Sequence, residues 1–108
     1  MRISDRVRER SNRLQGAARD WWGNHGEDLI ELTDIEIREV LEALREGDTG
    51  EARAAIASRM KREVWVAYRD GTTARLRGLA AKRAATMRAL RALGIDLARA
   101  IGAALLPP

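Results

Sequence analysis

The chain of 108 residues contains no cysteine and no phenylalanine, and its only two prolines are the last two residues. Without cysteine, the chain has no disulfides, no thiolate ligands for zinc and no thiol nucleophile. Because no proline precedes residue 107, no helix before that residue is interrupted by proline. The aromatic residues are three tryptophans and one tyrosine. Since buried apolar area is the main stabilising term, the sequence predicts a thin core and favours self-association.

Long apolar runs are also missing. No stretch approaches the ~18 apolar residues that identify a membrane span, and the most apolar segment, 93–106, contains Asp96 and Arg99. The first ten residues are too charged for the apolar segment of a signal peptide. We therefore expect no membrane span and a cytoplasmic location, or a place within a particle assembled in the cytoplasm.

Charge is present in abundance and is strongly segregated. Residues 1–23 carry a net charge of +3, residues 24–51 carry −8 and residues 52–108 carry +9, which leaves +4 for the whole chain. This pattern has two interpretations. The acidic segment neutralises the basic ones within a bundle or between subunits, or the basic segments bind an acidic partner such as nucleic acid.

The clearest helix signals lie in the acidic segment. Thr33 and Glu36 have the spacing of a capping box, in which each side chain binds a free backbone N–H at the start of a helix. Gly47 stands where a left-handed residue commonly ends a helix. These signals predict an acidic helix over 34–46.

The N-terminal segment has apolar residues at spacings of three, four or seven, which is typical of one amphipathic helix. We predict a basic helix over about 5–22. Gly23, Asn24 and Gly26 are expected to end it, because glycine and asparagine are frequent where helices stop.

The C-terminal half is predicted to form a basic helical region over about 50–105, bent or broken near Gly71, with a second candidate break near Gly94. The run Val64–Tyr68 fits a strand or a helix; we favour the helix because no second strand is available to pair with it. The fold class is therefore all-α, with three or four helices, a long or bent C-terminal helical region and a single domain over 1–108.

No pattern of catalytic or ligand-binding residues is evident. His25 is the only histidine, and a single histidine in a polar loop between helices gives no second nitrogen ligand and no convergent partners. The acidic residues are spread over helix faces and lack the alternating spacing of a calcium loop. We expect no enzyme activity, no catalytic, cofactor-binding or metal site, and no small-molecule substrate.

These observations favour a structural or adaptor protein that self-associates or docks another protein through amphipathic, charge-segregated helices. The composition also fits a component of a phage or mobile-element particle. Adjacent tryptophans on a helix point about 100° apart, so one apolar stripe does not bury both deeply, and exposed tryptophan is common at binding hot spots. The expected contact residues are Trp21, Trp22, Trp65, Tyr68, Leu90, Leu97 and Ile101.

The alternative function is nucleic-acid binding through arginine-rich helices. Neutralisation of phosphates requires clusters of basic side chains, and the N-terminal and C-terminal segments supply such clusters. No clear helix-turn-helix accompanies them, so the hypothesis depends on charge alone. The expected nucleic-acid contacts are Arg2, Arg6, Arg10, Arg13, Arg75, Arg83, Arg88 and Arg91.

Overall fold

The computed structural model describes residues 2–108, without the side chain of Thr73, and this part of the chain is helical with no strand. The all-α prediction is confirmed, but the predicted count of three or four helices is wrong, since the described residues form six. The helices are α1 (Ile3–Ser11), α2 (Gly16–Ile30), α3 (Asp34–Arg45), α4 (Thr49–Asp70), α5 (Thr73–Arg91) and α6 (Ile95–Leu105).

The N-terminal segment differs most from expectation. The predicted helix over 5–22 is two helices, α1 and α2, separated at residues 12–15, and Gly16 has a left-handed φ of 58°. Gly23, Asn24 and Gly26 do not end a helix, because α2 continues through them to Ile30. Burial of apolar side chains at the end of α2 outweighs a cost of about 1 kcal/mol for each helical glycine.

Helix α3 agrees with its local signals. The hydroxyl of Thr33 accepts from the backbone N–H of Glu36, and the carboxylate of Glu36 accepts from the N–H of Thr33 at 3.0 Å. Gly47 has a left-handed φ of 77° directly after the helix. The predicted bounds 34–46 therefore agree with Asp34–Arg45 within one residue.

The C-terminal region is three separate helices, broken at the two positions that the sequence offered, Gly71 and Gly94. Gly71 takes a left-handed φ of 69° and ends α4, and Gly94 is the N-cap residue of α6. The run Val64–Tyr68 is helical and lies within α4, as favoured from the sequence. These complete breaks, with the extra break before Gly16, explain the higher helix count.

The core lies where α3 packs against α6 and α4. Helix α6 approaches α3 so closely that a Cβ atom at Gly102 would lie 2.2 Å from the backbone nitrogen of Arg45. Glycine is therefore required at this crossing. The largest fully buried apolar side chains are Leu32, Leu41, Leu44, Ile56, Leu90, Ile101, Leu105, Val7 and Val40.

Candidate functional site

A buried polar junction joins α2, α4 and α5. The guanidinium of Arg83, only 3% exposed, donates to the carboxylate of Glu63 at 3.1 Å and to the backbone oxygen of Asp28 at 3.2 Å. The hydroxyl of Thr86 donates to the carboxylate of Asp28 at 3.1 Å. An arginine with its charge paired and its donors bonded ties the three helices together at this point.

Lys82 adds a more exposed ion pair beside this junction. Its Nζ lies 2.5 Å from Oε1 of Glu31 and 3.5 Å from Oδ1 of Asp28. The hydrogen bond to Glu31 raises the pKa of Lys82 above its ordinary value, and the negative charges of both carboxylates act in the same direction. The side chain therefore stays charged and holds α5 against the end of α2.

A second buried charge connects α3 with α4. Glu36 accepts hydrogen bonds from the guanidinium groups of Arg59 and Arg62 while it caps its own helix. Burial alone would raise the pKa of Glu36, but the hydrogen bonds of Thr33 and the charges of both arginines outweigh it and hold that pKa below its ordinary value. The carboxylate is thus ionised and fixes the position of α4 along α3.

Beyond these contacts, α4 and α5 form a hairpin arm, which we define as residues 61–82. Helix α4 has 22 residues and α3 has 12, so α4 extends about 15 Å further at 1.5 Å per residue. Of the side chains described in the arm, only Ala67 is buried. The arm is therefore held mainly by pairing of its two helices.

The outer part of α4 exposes a cluster of large apolar side chains. Trp65 is 64% exposed and Tyr68 is 78% exposed, and Val64 and Val66 are also exposed. Five successive helical residues surround the helix axis, so α5 can cover only one side of the run. It covers Ala67 and leaves the aromatic side chains in solvent.

Among the grooves beside α4, two lie towards opposite ends of the helix. The first, between α4 and α5 on the arm, is a cavity of about 460 Å³ lined by Arg62, Val66, Arg75, Leu76 and Leu79 among others. It is apolar at its floor and flanked by arginines.

The second groove lies between α3 and the first half of α4 and is acidic. This cavity of about 530 Å³ has a floor of small residues and a rim of carboxylates. Among the described residues, no ion pair joins the carboxylates of Glu39, Glu42 or Glu51 to a basic side chain. The lining residues are Glu39, Glu42, Ala43, Arg45, Glu46, Glu51, Ala54, Ala55 and Ser58.

The seven predicted contact residues do not form one surface. Trp65 and Tyr68 are adjacent on the arm, one helical turn apart. Leu90 and Ile101, by contrast, are fully buried in the chain's own core, where the folded chain does not offer them to a partner. Leu97 is half-buried against that core.

Trp21 and Trp22 are both half-buried on α2 and pack against the edge of the core. The indole N–H of Trp21 donates to the backbone oxygen of Ala89 at 3.4 Å, and its ring centre lies 5.1 Å from that of His25. The ring of Trp22 covers Gly26, where a Cβ atom would lie 2.4 Å from it. His25 was expected in a loop between helices; it is instead inside α2.

The arginines predicted for nucleic acid are also divided. The structure does not fit the prediction that Arg83 contacts nucleic acid. Its side chain is buried and paired with Glu63, so no phosphate reaches it in the folded chain. Arg10 donates to the backbone oxygen of Ala104 at 2.8 Å, and Arg2 lies 4.0 Å from Asp34. The exposed members of the set are Arg6, Arg13, Arg75, Arg88 and Arg91, together with Arg2.

Ion pairs between segments of opposite charge occur throughout the described part of the chain. They support the interpretation that the acidic segment neutralises its basic neighbours within one molecule. The pairs are Arg2–Asp34, Arg8–Glu27, Arg59–Glu36, Arg62–Glu36, Lys82–Asp28 and Lys82–Glu31.

Sequence reasoning missed two parts of this surface. It did not select Val64 and Val66 as exposed residues, although an unbroken apolar run on a helix implies that part of it faces solvent. It also did not predict the acidic groove, which the half-buried side chain of Ala55 lines while it packs on the core.

Within residues 2–108, no helix combines the length and the apolar character needed to cross a membrane. In the same part of the chain, no group of three histidine, aspartate or glutamate side chains is arranged to hold a metal ion. Comparison with protein-family models, curated proteins and solved structures gives no match in any of the three.

Proposed function

We propose that this chain is a non-enzymatic structural or adaptor protein that self-associates through its hairpin arm. The observation that carries the proposal is the exposed cluster around Trp65 and Tyr68 on a part of α4 that the chain's own core does not cover. Tryptophan and tyrosine are the residues most enriched at binding hot spots. Each buries about 150–250 Å² when fully covered.

The arm is well anchored for this role. Arg83, Glu63 and Lys82 connect its base to the rest of the molecule through paired charges. Because the aromatic side chains stand on a regular helix, the backbone loses little conformational freedom on binding. The cluster therefore resembles a preorganised contact surface more than a loose segment.

Charge indicates what the arm binds. Six basic residues and two acidic ones give the arm a net charge of +4, so a complementary surface is acidic. The chain has such a surface in its own acidic groove, with Glu39, Glu42 and Glu51. This match favours a second copy of the chain as the partner.

Nucleic-acid binding is the second candidate function. Its support is the combination of exposed Trp65 and Tyr68 with Arg69, Arg75 and Arg77 on the arm, because aromatic and basic side chains together bind single strands. Retention on single-stranded DNA that falls steeply with salt would favour this function. The absence of retention at low salt would exclude it.

The test of self-association is the native mass by light scattering over a range of concentrations. We expect the wild-type chain to exceed the 12.0 kDa of a monomer at high concentration. The double variant Trp65→Ala/Tyr68→Ala is expected to lower that mass, and Ile95→Ala, which removes a 58% exposed side chain on α6, is the control. A wild-type chain that stays at 12.0 kDa contradicts the proposal.

A further inference from the structure

The exposed face of α4 is self-complementary. We propose that α4 pairs with α4 of a second copy in an antiparallel orientation, about a two-fold axis that passes between Ser58 and Arg62 on this face, and that each Trp65 covers Ala55 of the other copy. This inference depends on the proposed self-association and specifies its geometry.

The face is a continuous stripe on the helix. Its positions follow one another at alternating spacings of four and three residues, which is the repeat of a helix–helix seam. Every position is exposed except Ala55, which is half-buried. The stripe consists of Glu51, Ala55, Ser58, Arg62, Trp65 and Arg69.

The stripe is also symmetric about residue 60. Glu51 and Arg69 stand nine residues on either side of it, and Ala55 and Trp65 stand five residues on either side. In an antiparallel pair with two-fold symmetry, each residue faces its symmetric counterpart on the other copy. The pairing therefore sets acid against base and a large side chain against a small one, twice in each dimer.

The residues beside the acidic half of the stripe also favour this pairing. The acidic half of the stripe borders the groove in which Glu39 and Glu42 lack an ion-pair partner among the described residues. The floor of that groove is small at Ala54 and Ala55, which leaves space for an aromatic ring.

Other arrangements of two copies fit less well. A parallel pair sets Arg69 against Arg69 and Glu51 against Glu51, and contact between the tips of two arms brings two surfaces of charge +4 together. Repulsion of like charges disfavours both. An antiparallel pair closes on itself, so a dimer is expected rather than a fibre.

The dimer is expected to be of modest affinity. Two tryptophans cross the interface, each able to bury about 150–250 Å². With the alanine floor and charged rim, the interface falls at the low end of the ~1,200–2,000 Å² of specific complexes. A Trp65→Ala change removes an anchor from both halves, and we expect it to raise the dissociation constant about 100-fold or more.

Charge reversal at the ends of the stripe tests the orientation. Glu51→Arg places two basic residues opposite each other at both ends of the dimer, and Arg69→Glu places two acidic residues there. Each variant alone is expected to dimerise about tenfold more weakly than the wild type. An equimolar mixture of the two restores both attractive pairs, so it should form a heterodimer with affinity near that of the wild type.

The matched control is the pair Asp20→Arg and Arg88→Glu, which reverse exposed charges away from the stripe. They should leave the dissociation constant unchanged, singly and mixed. Circular dichroism of all four variants establishes that each is folded, and native mass spectrometry resolves homodimers from heterodimers.

Three results separate the two proposals. Recovery on mixing E51R with R69E supports the antiparallel pair. A wild-type oligomer that depends on Trp65 but shows no weakening in E51R or R69E, or no recovery on mixing, overturns the antiparallel pair and leaves self-association through the arm standing. A wild-type chain that remains monomeric at all concentrations overturns both.

Discussion

The inner and outer halves of α4 and α5 differ in what their side chains contact. In the inner half of α4, Ala52 and Ile56 are buried in the core, whereas in the outer half only Ala67 is buried. The same contrast holds along α5, where Leu90 is buried and the end near the turn is not. One pair of helices thus contributes stability at one end and an exposed contact surface at the other.

Although the chain has few large apolar side chains, it does not use Trp65 and Tyr68 in its core, because these residues lie on the outer half of α4. The core relies on leucine, isoleucine, valine and alanine packed closely, as at the crossing of α3 and α6. Two of the four aromatic residues stand on the arm instead. The bundle should therefore respond to changes that disturb packing, and the arm to changes that disturb binding.

The largest change in stability is expected from a substitution at the buried polar junction, where the core meets the arm. Arg83→Ala leaves the nearly buried carboxylate of Glu63 with only the more distant Arg59, at 3.9 Å, and weakening a buried pair in this way costs up to about 3–5 kcal/mol of stability. Urea unfolding followed by circular dichroism measures this cost. Arg88→Ala, on the same helix but exposed, is the control and should change stability by less than about 0.5 kcal/mol.

Equal stabilities for R83A and R88A would show that the junction does not hold the arm. Hydrogen exchange adds a local measurement. Faster exchange is expected in residues 61–82 of R83A than in the core around Leu41, because the arm loses one of its contacts with α2.

A matched pair of glycine substitutions gives the next largest effect. Gly102→Ala forces a methyl group against the backbone of Arg45, and overpacking of this kind costs about 1–3 kcal/mol. Gly78→Ala, in the arm, meets no atom within 4 Å and should stabilise α5 by up to about 1 kcal/mol through helix propensity. Thermal unfolding of both variants gives the sign of each change, and the same sign for both would contradict the contrast between core and arm.

The smallest effect concerns pH and Glu36. Because its pKa in the folded chain lies below the ordinary value of 4.5, ionised Glu36 stabilises the fold at any pH above that value. The contribution falls as pH drops below 4.5 and is lost below the folded pKa. Measured between pH 7 and pH 3, stability should fall less steeply for Glu36→Gln than for the wild type.

Glu39→Gln is the control for this measurement. Glu39 is exposed on the same helix and takes no part in the capping box. Its loss should leave the pH profile as in the wild type. A profile of E36Q that matches the wild type would mean that the ion pairs with Arg59 and Arg62 do not affect acid stability.

The parts of the fold that depend on residues close together in the sequence were predictable. The capping box of Thr33 and Glu36 and the break at Gly71 both follow from local backbone chemistry. The course of α2 was not, because Gly23 and Gly26 satisfy every local rule for a helix end. The helix continues past both glycines because Leu29, beyond them, is buried in the core, and burial depends on the whole fold.

The same distinction applies to the candidate site. The sequence identified Trp65 and Tyr68 as contact residues by type, and they are exposed; Leu90 and Ile101 were chosen on the same grounds and are in the core. Arg83 was grouped with surface arginines by charge alone. Yet Arg83 falls on the same apolar stripe as Leu79 and Leu90 at 100° per residue, so the helical period indicated its burial. Which part of that stripe the chain covers depends on helices distant in sequence.

The two-residue turn at Gly71 has a consequence for the order in which the helices form. It joins α4 to α5 directly, so the pairing of these helices needs almost no loop closure. Contact between α3 and α6, by contrast, must close a loop of nearly fifty residues. Since local contacts form fastest, we expect the α4–α5 hairpin to assemble early, and Gly102 of α6 to reach Arg45 later in folding.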